Sequence, residues 1–319
     1  MQILYKLLSA LLSILFSFTV PLGSAPGRAI VATDDENVRL SFSVISDTHI
    51  TDSDARTTTL RAGLEDMSQD GTSLDALVIS GDLTDHGEKS QYRNFFNTLR
   101  DFCTLDSFVI ATGNHDTWSD EGDDISRAYF VEGYNALTGR DIQKAYYSTV
   151  VNGYTFLVMA SESDSTDAYI SDEQISWLDT ELAAACADGK PVFVVCHFPI
   201  GGTNGQPEIW PEGSIGEQSD AVDAVLQKYT NVFYITGHMH AGFMGDATQI
   251  ANGYSSVESI GNVHYINVPC YMYLNTDAGN PLSGCGYVFE VYDDYVLLRA
   301  RNFVLGGWMS TYDAQLDLV

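Results

Sequence analysis

Leu77-Val78-Ile79-Ser80-Gly81-Asp82 is the stretch whose reading decides the fold. Its apolar, β-branched run reads as a buried strand. The glycine that ends it lets the backbone turn sharply, so Asp82 is expected to project beyond the strand end. Four other stretches repeat the plan of apolar strand followed by polar donors: Ser43-Val44-Ile45-Ser46-Asp47-Thr48-His49, Phe108-Val109-Ile110-Ala111-Thr112-Gly113-Asn114-His115-Asp116, Val192-Phe193-Val194-Val195-Cys196-His197 and Phe233-Tyr234-Ile235-Thr236-Gly237-His238-Met239-His240. The five strand ends are expected to meet.

Between them the pattern alternates. Apolar spacing predicts helices over 57–69, 88–102, 125–137, 171–187 and 219–229. Asn152-Gly153 predicts a hairpin turn between 146–151 and 154–160. Strand–helix–strand order implies parallel β-α-β units. After His240 short strands are expected at 263–268, 286–292 and 295–303. The simplest layered reading is two sheets face to face with helices outside. Residues 200–216, a loop rich in Gly, Pro and Glu that carries Trp210, are a candidate substrate wall.

The 319 residues suit one large domain after a targeting segment, and 45% hydrophobic with 18% charged residues is a globular composition. The net charge of −28 is unusual. Such a surface repels phosphate backbones, so no nucleic acid duplex is expected as partner. Lys6, the apolar run 7–20 and the small residues after it have the order of a secretory signal peptide. The expected organisation is signal peptide 1–29, linker 30–38 and one domain over 39–319, in a secreted or extracytoplasmic protein. Cleavage after Ala29 or Ala32 fits the small-residue rule; an uncleaved anchor is the alternative. Of Cys103, Cys186, Cys196, Cys270 and Cys285, the last two flank a turn-rich loop and are the expected disulfide pair, if any forms.

Asp47 and His49 stand two apart, as do His238 and His240. In extended backbone such pairs point to one side, so each can present two donors to one place. Carboxylate oxygen and imidazole nitrogen suit Mn²⁺, Fe or Zn²⁺, and a motif set without sulfur argues against a structural zinc cage. Five of the seven histidines fall in these motifs, which points to two metal ions with Asp82 between them.

Asp47-x-His49, Gly81-Asp82, Gly113-Asn114-His115-Asp116, His197 and Gly237-His238-x-His240 together resemble the motif set of the calcineurin-like metallophosphoesterases, nearest to the cyclic-nucleotide phosphodiesterase-like branch. The resemblance implies an α/β protein built as a four-layer α/β/β/α sandwich. It implies that Asp47, His49, Asp82 and His240 bind one divalent metal ion, and that Asp82, Asn114, His197 and His238 bind the other. It implies hydrolysis of a small phosphorylated substrate by a bridging hydroxide, with His115 as proton donor or transition-state stabiliser. Asp116 either orients His115 or is an ordinary turn acid. Asp85 stands where purple acid phosphatases of this group carry tyrosine, so a purple Fe³⁺ site is not expected. The 79 residues after His240 are too few for the substrate domain of secreted 5′-nucleotidases. Scarce basic residues favour a phosphodiester over a doubly charged monoester; a phosphomonoesterase, or a noncatalytic binding protein that keeps the fold, are the alternatives. His86, Trp210, Tyr271 and Tyr273 are further candidates for substrate contact, each also explicable as surface or core. Oligomeric state is not legible.

Overall fold

The computed structural model describes residues 29–163, 168–205, 213–243, 255–272 and 283–319. Helix α1 (Asp54–Met67) separates β1 (Leu40–Ile45) from β2 (Ala76–Ser80), and α2 (Lys89–Phe102) separates β2 from β3 (Phe108–Ala111). These three strands pair in parallel and are buried throughout, so they lack polar alternation. Helix α3 (Asp123–Thr138) leads to the hairpin β4 (Tyr147–Val151) and β5 (Tyr154–Val158). Then follow α4 (Asp172–Ala185), β6 (Val192–Val195), α5 (Ser219–Leu226), β7 (Val232–Thr236), β8 (Val257–Ile260) and β9 (Val263–Asn267). The chain closes with β10 (Cys285–Val291), β11 (Tyr295–Asn302), β12 (Gly307–Trp308) and β13 (Ala314–Asp317).

One sheet has the order β12-β11-β10-β1-β2-β3, with β13 added on β11; the other runs β4-β5-β6-β7-β9-β8. Aromatic rings fill the space between them. Phe42 of the first sheet meets Phe156 and Phe193 of the second edge-on, with centroids 5.2 and 4.9 Å apart. On the outer face of the second sheet, Leu178, Leu182, Val222 and Leu226 of α4 and α5 pack on Leu157, Val192 and Val194. Helices α1 to α3 pack within the other core cluster, on the first sheet. The result is the expected α/β/β/α sandwich. The parallel strands β1, β2, β3, β6 and β7 all end on one edge, where ligands collect in parallel sheets.

Helix α1 begins three residues earlier than its apolar spacing suggests. Ser53 caps it by accepting from Ala55 N at 3.5 Å, and the polar Thr58 turns its hydroxyl back to Asp54 O at 2.7 Å. Ser171 likewise caps α4 through Gln174 N, but the Gln174 side chain turns inward to both backbone groups of Ala160. Strand β8 is an edge strand without a buried face, which is why its sequence gives no strand signal. Residues 30–38 contain no helix or strand. Ile30 is nevertheless buried in the core, and Thr33 N donates to Glu290 at 2.9 Å. None of the five cysteines is in a disulfide, so the expected Cys270–Cys285 pair does not form: Cys270 turns toward Asp47, and Cys285 lies on Met309. Residues 1–28, with the signal-peptide segment, lie outside the described residues, as do Trp210 and Tyr273. No helix among the described residues is long and apolar enough to cross a membrane.

One buried ion pair ties a helix to the sheet it covers. Arg301 of β11 is fully buried and donates through Nε and Nη2 to both oxygens of Asp66 in α1, each at 2.7 Å. Removing one partner of a buried pair leaves an uncompensated charge, at about 3–5 kcal/mol. Asp66→Ala is therefore expected to lower unfolding free energy by about that amount in urea titrations; a change under about 1 kcal/mol would contradict this.

Candidate metal centre

The loops leaving the five parallel strands interlock before any side chain is considered. Asp47 N donates to Gly81 O at 3.0 Å, His49 N to Asp82 O at 2.9 Å, and Gly237 N to His197 O at 2.9 Å. His115 N donates to Asp82 Oδ1 at 3.0 Å, and His238 N approaches both Asp47 oxygens at 3.3 Å. Asp47, His49, Asp82, His238 and His240 all have φ between 42° and 70°. Left-handed backbone is uncommon outside glycine and costs on the order of 1–3 kcal/mol per residue, and it clusters at functional sites. The glycines of the motifs serve close approach. A methyl on Gly113 would collide with Asp82 Oδ1 and stand 2.6 Å from His197 Cδ2; one on Gly237 would collide with Ser46 Oγ and stand 2.5 Å from Asp47 Oδ2.

The side chains form two adjoining clusters. In the first, His240 Nε2 lies 2.9 Å from His49 Nε2 and 3.1 Å from Asp47 Oδ1. In the second, His197 Nε2 lies 3.2 Å from His238 Nδ1. Asp82 Oδ2 belongs to both, at 3.6 Å from His49 Nε2, 4.0 Å from His240 Nε2 and 3.2 Å from His197 Nε2. Donors bonded to one cation at about 2.1 Å stand roughly 3.0–3.4 Å apart; the spacings of 2.9–3.2 Å match coordination polyhedra, and those of 3.6 and 4.0 Å from Asp82 to His49 and His240 are wider. Asp82 Oδ2 and Asn114 Oδ1 are buried and accept no hydrogen bond. The donors thus fit two divalent ions sharing one carboxylate oxygen.

The electrostatics agree. Burial pushes the Asp47 carboxyl up, but the His240 hydrogen bond and the charges of His197 and His240 bring it down to about 2. Burial likewise opposes ionisation of Asp82, yet the His197 and His49 charges hold it well below the usual carboxylate range. For His197, burial is overcome by the Asp82 charge and the imidazole rises to about 9. His238 goes the other way, lowered by burial and by the His197 charge. Without metal, protons hold the carboxylates together; a metal replaces them.

His115 lies beside the first cluster, its ring 4.6 Å from that of His49. Its Nδ1 is 2.8 Å from Asp85 O; a carbonyl only accepts, so the proton is on Nδ1 and Nε2 is the other face. Burial lowers the His115 pKa. Asp116 does not orient His115. Its oxygens accept from Leu83 N, Thr84 N, Thr84 Oγ1 and Gly113 N, so it is the turn acid that locks the loop carrying Asp82. Burial and the Asp82 charge raise its carboxyl to about 6. Tyr271 is fully buried and donates to Thr59 O, which makes it core. His86 is exposed and faces Asp85 Oδ2 at 3.2 Å.

Two residues escape the motif reading. Asp85, read only for the tyrosine it replaces, lies 3.6 Å from His49 Nδ1 and receives Arg56 Nη1 at 2.5 Å, while Arg56 also donates to His49 O at 2.7 Å. A carboxylate behind a ligating imidazole fixes its orientation and basicity. Its spacing from Asp82 is the only sequence signal. Cys270 places its thiol with Asp47, His49 and His240, the donor atoms of all four lying within 4.8 Å of one another. Nothing in its local sequence announces that.

The family model described as calcineurin-like phosphoesterase matches residues 40–242. The chain belongs to the calcineurin-like phosphoesterase family. A 3′,5′-cyclic-nucleotide phosphodiesterase of Nostoc is 25% identical over 253 residues, 75% of this chain and 82% of that protein. A cAMP/cGMP dual-specificity phosphodiesterase of Mycobacterium tuberculosis is 26% identical over 224 residues, 65% of each chain. Among solved structures, a dimetal phosphatase of Danio rerio superposes with a TM-score of 0.60 at 15% identity, over 89% of this chain and all of that one; this likeness speaks for the fold. This phosphoesterase is a metal-dependent phosphoric ester hydrolase.

Two outcomes follow from the phosphoesterase's site. Gly237→Ala, which drives a methyl into Ser46 and Asp47, is expected to abolish tight metal binding while far-ultraviolet circular dichroism stays native; retained binding would contradict the packing. Because His197 titrates near 9 in the metal-free site, metal affinity should rise from pH 6 toward pH 9 with proton release. Calorimetry in two buffers of different ionisation enthalpy measures that release, and zero release would contradict it.

Proposed function

We propose that this metallophosphoesterase is a dinuclear phosphodiesterase acting on a small cyclic-nucleotide-type diester. The observation that carries the reading is the single Asp82 oxygen common to both clusters. Asp47, His49, Asp82 and His240 would hold one divalent ion, and Asp82, Asn114, His197 and His238 the other. When bound, such a pair polarises phosphoryl oxygens and activates a water for in-line attack. Asp85 and Arg56 hold His49 in place. The His115 ring lies beside the first cluster with Nδ1 occupied by Asp85 O, which leaves Nε2 for substrate; as imidazolium it donates a proton to the departing alkoxide.

The diester preference follows from charge. A doubly charged monoester calls for cationic clamps beyond the metals. Lys and Arg number 15 against 43 acids, and Arg56, the cation next to the site, is engaged by Asp85. The relatives named for cyclic nucleotides support the same class. Export is part of the reading, supported by Lys6 and the apolar run that follows. Cleavage after Ala29 is favoured over Ala32, because Ile30 and Ala32 are buried and Ile30 N donates to Thr72.

The test is hydrolysis of cyclic nucleotides, bis-p-nitrophenyl phosphate and p-nitrophenyl phosphate with added Mn²⁺. Diester hydrolysis that disappears in Asp82→Asn is expected; a monoester preference, or full activity in the variant, would sink the reading. His115→Ala should cut kcat about 10²–10⁴-fold on cyclic nucleotides and less on nitrophenyl esters, whose leaving group needs no proton. The imidazolium exists only below its lowered pKa, so that loss should shrink as pH rises. Equal losses on both substrates at every pH would remove the proton-donor role.

A further inference from the structure

The sequence motifs offer oxygen and nitrogen donors; the fold adds sulfur. Cys270 lies three residues beyond the end of β9, where Val268 N donates to Thr236 O at 2.8 Å and carries the sheet past its last regular pair. Its backbone is tied to both segments that carry the first cluster. It forms an isolated parallel bridge with Ser46, next to Asp47, and Cys270 N donates to Ala241 O, next to His240, at 3.1 Å. Tyr271 N then donates to Ser46 O at 2.9 Å. Within this clamp the thiol is fully buried and points at Asp47 O, 3.7 Å away.

The Sγ, one Asp47 oxygen and the ligating nitrogens of His49 and His240 all lie within 4.8 Å of one another. With bonds of about 2.1 Å to nitrogen or oxygen and about 2.3 Å to sulfur, two donors on one ion stand at most about 4.4 Å apart. A contraction of about 0.4 Å therefore brings the widest pair this limit allows into range of one cation. Asp82 Oδ2 points to the same space independently. It is buried, accepts no hydrogen bond, and lies 3.6 and 4.0 Å from the nitrogens of His49 and His240.

We propose that Cys270 is a fifth donor of the first metal position, beside Asp47, His49, Asp82 and His240. The inference rests on the dinuclear reading of the site. On coordination the S–H bond breaks, its proton leaves to solvent, and the sulfur lone pair binds the cation; no electrons change hands. A soft thiolate selects a thiophilic ion such as Zn²⁺, Fe²⁺ or Co²⁺. The second position, with Asp82, the Asn114 amide and two imidazoles, has no sulfur and stays open to Mn²⁺. The two positions, already unequal in Asp47 against Asn114, are thereby made to differ in softness as well.

The experiment loads the full chain with Co²⁺ and records its electronic spectrum. A near-ultraviolet sulfur-to-cobalt charge-transfer band is expected in the unaltered protein and in Cys103→Ser. In Cys270→Ser the band should vanish while the visible cobalt bands and two bound ions persist. Zn²⁺ affinity should fall at least about tenfold in that variant, the smallest loss that even an outer-shell partner causes, with Mn²⁺ affinity held. Two cobalt ions without the band in the unaltered protein would overturn the sulfur donor and leave the dinuclear reading intact. No bound cobalt would overturn both. Should Cys270→Ser fail to fold, X-ray absorption of the unaltered zinc form decides: a sulfur scatterer at about 2.3 Å supports the proposal, and a shell of nitrogen and oxygen alone overturns it.

Discussion

Two carboxylates with no solvent exposure, Asp47 and Asp82, share one crowded edge of the sandwich, and the rest of the structure answers to that constraint. Burying one ionised carboxylate away from water is costly unless it is paired, and burying two together adds repulsion. The fold meets this by bringing four imidazoles against them from three separate loops: His49, His197, His238 and His240. Each loop leaves a parallel strand, so the strand order of both sheets decides whether the charges can be balanced at all. The left-handed residues and the tight glycines are consequences of how closely the loops must approach.

The same arrangement separates local from global charge. The chain as a whole is strongly anionic, with a net charge of −28. Divalent cations held by these donors would reverse the sign over a few ångströms, which suits a small phosphate ester under the proposed function. Around that pair the protein supplies orientation rather than further positive charge. Asp85 backs His49, Asp116 locks the Asp82 turn, and the Asp85 carbonyl fixes the His115 tautomer.

The parallel strands and the meeting of their polar ends were legible because buried strands are continuous apolar runs, and because Asp-x-His and His-x-His pairs repeat at those ends. The layer order followed from strand–helix alternation. Legibility failed where contacts are long-range. Cys270 is 223 residues from the Asp47 carbonyl it faces, and its sequence neighbours suggested a disulfide instead. Asp116 sits beside His115 in sequence, yet its carboxylate turns to backbone amides of the neighbouring loop, a direction set by the turn after β3 and invisible to spacing. Asp66 and Arg301 are 235 residues apart, so neither announced a buried pair. Edge strand β8 carried no pattern because an exposed edge does not need one.

The shared oxygen of Asp82 is the claim on which the account stands, and anomalous diffraction from Co²⁺-soaked crystals measures it most directly. Two peaks about 3.5–4 Å apart, flanking Asp82 Oδ2, are the predicted result. A single peak, or two peaks of which one lies away from Asp82, would contradict it.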